Sequence, residues 1–233
     1  MSANGLDKRL VTVSAAASSE AERYQTLRLR VEHLHRTRDV RVIAITSPGA
    51  KDGKTLTALN LASALTSGSD ARVLLIEADL RRPMVGTYLG LNGNTPPGLA
   101  DLVLDPGRTL GDVAYRHEPL TFSVVVAGST TAPVHEVFRS PRLEATLQEA
   151  RQRYDYVVLD TPPLGHVSDC ALLARWVDGL LIVVAAHKTP RKQLEEALNL
   201  LEGTNVLGIV FNGDDRPAFG YRYYDYRKAH ART

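Results

Sequence analysis

The chain has 233 residues, 44% of them hydrophobic and 23% charged, a balance that excludes a disordered or fibrous protein and leaves room for a full α/β core. Its formal net charge of +2 supplies no basic field for nucleic acid, and its one cysteine, Cys170, excludes an internal disulfide and fits a reducing compartment. The longest apolar run, LLIVVAA at 180–186, is far below the ~20 residues of a membrane-spanning helix, so a cytoplasmic protein is expected.

Residues 1–18 are small and polar around a short apolar patch, and are expected as a flexible or edge-packed arm. The spacing of Tyr24, Leu27, Val31 and Leu34 predicts a helix over 19–36, opened by a capping box of Ser19 and Glu22. From residue 41 strands and helices alternate. Strands are predicted at 41–46, 73–77, 121–127, 155–160, 179–185 and 206–211, and helices at 54–67, 98–104, 141–153, 168–176 and 190–202. Ser140 and Thr189 each precede a proline and are expected as N-caps, with Gly203 closing the last helix. The alternation predicts one domain over 19–216, a P-loop NTPase-like three-layer α/β/α sandwich on a mostly parallel sheet. After it, residues 217–233 read as a flexible tail that carries Tyr221, Tyr223, Tyr224 and Tyr226, four of the nine tyrosines. Clustered exposed phenols fit phosphorylation targets.

Function is read first from RVIAITSPGAKDGKTL at 41–56, an apolar run, a loop and Lys-Thr at the head of a helix. Gly53-Lys54-Thr55 matches the second half of a phosphate-binding loop, in which backbone N–H groups cradle phosphates, the lysine reaches the β and γ oxygens and the hydroxyl holds Mg²⁺. The first half departs from the pattern, with Pro48 where glycine is expected and Gly49 beside it. Two acid-ended strands support the loop. RVLLIEADLRR at 72–82 places Glu77 and Asp79 on one side of an extended segment, and YDYVVLDTPP at 154–163 ends in Asp160. Ligands of an open parallel sheet bind beyond the carboxyl ends of its strands, where all of these fall. The predicted nucleotide-binding residues are Gly49, Ala50, Lys51, Asp52, Gly53, Lys54, Thr55 and Leu56.

The loop, the IEADLRR and VVLDTPP strand ends, the helix SSEAERYQTLRLRV and the terminal tyrosines together resemble the bacterial tyrosine kinases of capsule and exopolysaccharide synthesis, over most of the chain. The resemblance implies ATP and Mg²⁺ as cofactors, Thr55, Asp79 and Asp160 around the metal, and Lys54, Glu77, Asp79, Arg81 and Asp160 as catalytic residues. Glu77 stands where the family has Asp, the carboxylate thought to draw the proton from the incoming tyrosine, and Arg81 would offset phosphoryl charge. Asn212 matches a position that contacts adenine. Glu22 and Arg28 match helix residues that pair between subunits of a ring, in which each tail is phosphorylated in trans. The length resembles the free-standing version of these kinases, recruited to the inner face of the plasma membrane by a transmembrane chain-length regulator and countered by a tyrosine phosphatase. The alternatives are a nucleotide switch similar to the MinD/ParA ATPases, whose extra P-loop lysine is Pro48 here, and an ATP-binding scaffold without kinase activity.

Overall fold

A computed structural model describes residues 5–67, 70–91, 93, 95–165 and 167–214. Seven strands form one sheet in the order β3-β4-β2-β5-β1-β6-β7, numbered along the chain. They are β1 (Val42–Thr46), β2 (Val73–Glu77), β3 (Tyr115–Arg116), β4 (Ser123–Val125), β5 (Tyr156–Asp160), β6 (Gly179–Ala185) and β7 (Val206–Asn212). Every pairing is parallel except the β3–β4 pair at the edge. The predicted mostly parallel sheet and its six strands are found, and the short β3 is an addition that apolar patterning does not mark.

β1, β2 and β5 are buried at every position, and apolar up to the Thr46, Glu77 and Asp160 that end them, because both faces of the sheet are covered. In β1, Val42 and Ala44 join one buried cluster while Ile43 and Ile45 join the other, and β2 divides in the same way into Leu74 and Ile76 against Val73 and Leu75. The first cluster lies under α5 (Leu99–Leu104), α6 (Leu110–Val113), α7 (Val134–Arg139), α8 (Pro141–Arg153), α9 (Val167–Ala174) and α10 (Arg191–Leu200). The second lies under α2 (Ser19–Arg38), α3 (Lys54–Thr66) and α4 (Val85–Tyr88). This makes the three layers anticipated from the alternation of elements.

Two boundaries differ from expectation. The α2 N-cap is Ser18, whose hydroxyl accepts from the Ala21 N–H at 3.1 Å, so Ser19 already lies in the helix and Glu22 is not part of the cap. Gly203 follows a helix that has ended at Leu200, with Leu201 at its cap. Of the arm expected to be flexible or edge-packed, residues 5–18 are packed: Leu6 and Leu10 are buried, and α1 (Val11–Ser14) rests on α3 through Thr12, whose N–H and hydroxyl both reach Asn60 Oδ1.

Candidate functional site

The strand order places the ends of β2, β5 and β1 side by side, with Asp160 in register with both Glu77 and Ile45. From β1 the chain passes through Ser47 and Pro48 into a loop that ends at Gly53, the N-cap of α3. Gly53 has φ +97°, and a Cβ there would lie 1.9 Å from the Asn212 amide nitrogen, so only glycine fits. Because glycine offers no side-chain cap, the first-turn N–H groups of α3 are left to an anion, with the helix dipole favouring negative charge.

The loop is braced from behind. Asp52 is buried, accepting from the Gly49 N–H at 2.9 Å and from the Thr189 hydroxyl at 2.9 Å, while its own carbonyl accepts from Asn212 Nδ2 at 2.9 Å. Gln193 Nε2 donates to the Pro48 carbonyl at 3.2 Å. Thr189 is therefore not the N-cap of α10, a place held by Pro190; its hydroxyl joins the loop to β6, accepting from the Ala185 N–H at 3.1 Å. The other loop residues, Ala50 and Lys51, are exposed, and Lys51 takes a left-handed φ of +68°.

Lys54 and Thr55 open α3, and both side chains are buried. The Lys54 ammonium lies 2.7 Å from Asp79 Oδ2 and 3.4 Å from Asp160 Oδ1. Burial pulls its pKa down, but the charges of Asp160 and Asp79 more than offset this and hold it above the ordinary lysine value. Asp160 is wholly buried, which pushes its carboxyl up against the opposing pull of Lys54. Its Oδ2 has no hydrogen-bond partner, an orphan acceptor that a cation would satisfy. Among the described residues no three His, Cys, Asp or Glu side chains gather as a metal cage. The donors present, the Thr55 hydroxyl and carboxylate oxygens, fit Mg²⁺, which is usually bound by one or two carboxylates together with water and phosphate oxygens.

Glu77, expected to converge on the same centre, turns away from it. Its Oε1 accepts from the Met84 and Val85 N–H groups at 2.5 and 2.7 Å, and its Oε2 from the Ala127 N–H at 2.9 Å. Burial pushes this carboxyl up to about 7 against the pull of those three donors. Arg81 is likewise committed elsewhere than to a phosphate, in a two-pronged pair with Asp169 at 2.6 and 3.2 Å. Asp169 is fully buried on α9, and nothing in its sequence neighbourhood marks it. Asp79 takes the Arg82 N–H at 3.2 Å through Oδ1, leaving Oδ2 on Lys54.

Asn212 and Leu56 line a cavity of about 550 Å³ beside the loop, walled also by Arg9, Tyr24, Phe211 and Asp214. Its size suits a nucleoside, and the Asn212 amide nitrogen is already given to the loop carbonyl of Asp52. Two residues were expected to pair between subunits, Glu22 and Arg28. Arg28 is turned inward, its Nη1 donating to the Ser67 carbonyl and its Nε 3.5 Å from Glu32, whereas Glu22 is exposed. Tyr221, Tyr223, Tyr224 and Tyr226 lie outside the described residues.

The sequence model of the AAA domain family matches residues 40–205. The tyrosine-protein kinase YwqD of Bacillus subtilis is 30% identical over 210 residues, covering 89% of this chain and 87% of its own length. The tyrosine-protein kinase ptk of Acinetobacter johnsonii is 34% identical over 182 residues, 77% of this chain, which spans 24% of that relative's length. Among solved structures, the kinase domain of the Escherichia coli tyrosine kinase ETK superposes with a TM-score of 0.81 at 27% identity, covering 91% of this chain and 84% of that one.

Proposed function

The chain belongs to the AAA domain family and, within it, to the bacterial tyrosine-protein kinases, and from that premise we propose that it transfers phosphate from ATP to its own C-terminal tyrosines, in trans, and so regulates export of an exopolysaccharide or capsule. The observation that carries the reading is the Lys54 ammonium set between Asp79 and Asp160 at the head of α3. In the proposed complex the first-turn N–H groups of α3 and the Lys54 ammonium hold the β and γ phosphates. Thr55 and Asp160 hold Mg²⁺, directly or through water, and Asp79 completes the surroundings of the metal and the γ phosphate. The metal supplies neutralisation of charge on the transferring phosphoryl group. Phosphoryl transfer asks the protein chiefly for alignment and charge stabilisation, which a braced loop and buried acids provide.

The acceptors are Tyr221, Tyr223, Tyr224 and Tyr226. No described helix is long and apolar enough to cross a membrane. The reading assigns recruitment to the inner membrane face to a transmembrane partner of the chain-length-regulator type, with a tyrosine phosphatase resetting the tail and a ring of copies as the assembly. Mixing two variants tests transfer in trans: Lys54→Ala with an intact tail as acceptor, and a chain with all four tail tyrosines changed to Phe as donor. Phosphotyrosine on the Lys54→Ala chain is expected; its absence, with the unaltered chain active alone, would confine transfer to a single molecule.

A further inference from the structure

We infer that Glu77 is a positioning residue, a carboxylate clamp that ties the end of β2 to α4 and to the segment following β4, and not the group that takes the proton from tyrosine. The inference deepens the proposed kinase reading and rests on it only for its catalytic consequence. Glu77 is 1% exposed and each of its oxygens is engaged by backbone, Oε1 by Met84 and Val85 and Oε2 by Ala127. A general base must come within ~2.6–3.2 Å of the proton it removes. Three of its four acceptor sites are taken and the carboxyl is buried, so Glu77 would have to leave this setting to meet a tyrosine hydroxyl.

The clamp sits at the start of a chain of contacts that returns to the loop. Two residues past Glu77 comes Asp79, the partner of Lys54. At the end of α4, the Tyr88 carbonyl accepts from the Asp7 N–H at 2.9 Å and the Tyr88 ring lies 5.2 Å from the Arg9 guanidinium. The Arg9 carbonyl in turn accepts from Asn60 Nδ2 at 3.1 Å, on the helix that Lys54 opens, and Arg9 walls the cavity beside the loop. Glutamate's extra methylene spans the gap to both backbone segments. Aspartate, shorter by one C–C bond of about 1.5 Å, does not reach them from the same backbone.

The two conservative variants separate the clamp from a base. Glu77→Gln keeps a carbonyl that can accept from Met84 and Val85 but sets its NH₂ group against the Ala127 N–H, leaving those donors unmet, whereas Glu77→Asp keeps the charge and loses the reach to both segments. For a clamp, Gln is the milder change: the phosphotransfer rate of Glu77→Asp should fall by about 10²-fold, the cost of a misplacement near 1 Å, in kcat rather than in KM for ATP, and that of Glu77→Gln by much less. An inactive Gln variant beside an active Asp variant would overturn the inference in favour of a base. Amide hydrogen exchange reads the clamp without catalysis. In the unaltered chain the Met84, Val85 and Ala127 amides should exchange slowly, with all three accelerated by Glu77→Asp. Unprotected amides there would overturn the clamp even in an active kinase, while protected amides in a chain that transfers no phosphate would leave the clamp standing and remove the kinase reading.

Discussion

The Lys54 ammonium lies 2.7 Å from Asp79 Oδ2, so a cation at the head of the α3 helix and an acid just past β2 form one buried ion pair across the intervening β5. Asp160, at the end of β5, approaches the same ammonium at 3.4 Å. The loop, the acids and the helix are thereby joined in a single charge system.

Lys54→Ala should abolish tail phosphorylation and also weaken the fold. Both carboxylates are buried, and removing the cation leaves them without it, a change that costs about 3–5 kcal/mol in buried pairs. Urea unfolding of the variant against the unaltered chain measures this. Unchanged stability would mean that solvent or a shifted side chain compensates the two acids.

Asp160→Asn should act on the metal. The orphan Oδ2 is the described acceptor best suited to a cation, so Mg²⁺ affinity in the presence of ADP should fall by at least the roughly 10–100-fold seen when metal-site partners are lost. Calorimetric Mg²⁺ titration of both proteins gives the comparison, and equal affinities would move the metal off Asp160.

Thr189→Val should loosen the loop without touching the nucleotide. The hydroxyl donates to the buried Asp52 carboxylate, and hydrogen bonds to charged groups are worth about 1.5–3 kcal/mol. If that bond holds the loop in its binding shape, ADP should bind about tenfold or more weakly, at 1.4 kcal/mol per decade. Retained affinity would show that Gly49 and Asn212 hold Asp52 well enough alone.

Stability should fall with rising pH because of Glu77. Its folded value of about 7 lies above the ordinary 4.5, so between those values the folded chain keeps a proton that the unfolded chain has released. The contribution is fully present below about 4.5 and lost as pH rises through about 7, with a limiting slope on the order of 1.4 kcal/mol per pH unit. Denaturant melts from pH 5 to 8 should show Glu77→Gln gaining on the unaltered chain as pH rises. Parallel curves would contradict the shift.

Much of the fold was legible because it is written in local patterns. The runs VIAIT, VLLIE and YVVLD are buried at every position, as a parallel sheet covered on both faces requires. Lys54 is legible in the Gly53-Lys54-Thr55 pattern and Asp79 and Asp160 at strand ends, which the parallel topology brings together. What escaped depends on side-chain direction. Glu77 and Asp79 lie two apart, as if facing the same ligand, yet Glu77 is drawn to the Met84, Val85 and Ala127 N–H groups, up to 50 residues away. Arg81 finds Asp169 across 88 residues, and Thr189, placed before a proline like an ordinary cap, finds Asp52 across 137. Ser18 and Ser19 are both competent caps, and only the backbone chooses between them.

The most direct test of the account is mass spectrometry of the purified chain after incubation with Mg²⁺ and ATP, beside Lys54→Ala treated alike. The account predicts phosphate on the peptides bearing Tyr221, Tyr223, Tyr224 and Tyr226 in the first sample and none in the second. ATP consumed at the Lys54 site with every one of those tyrosines unmodified would contradict it.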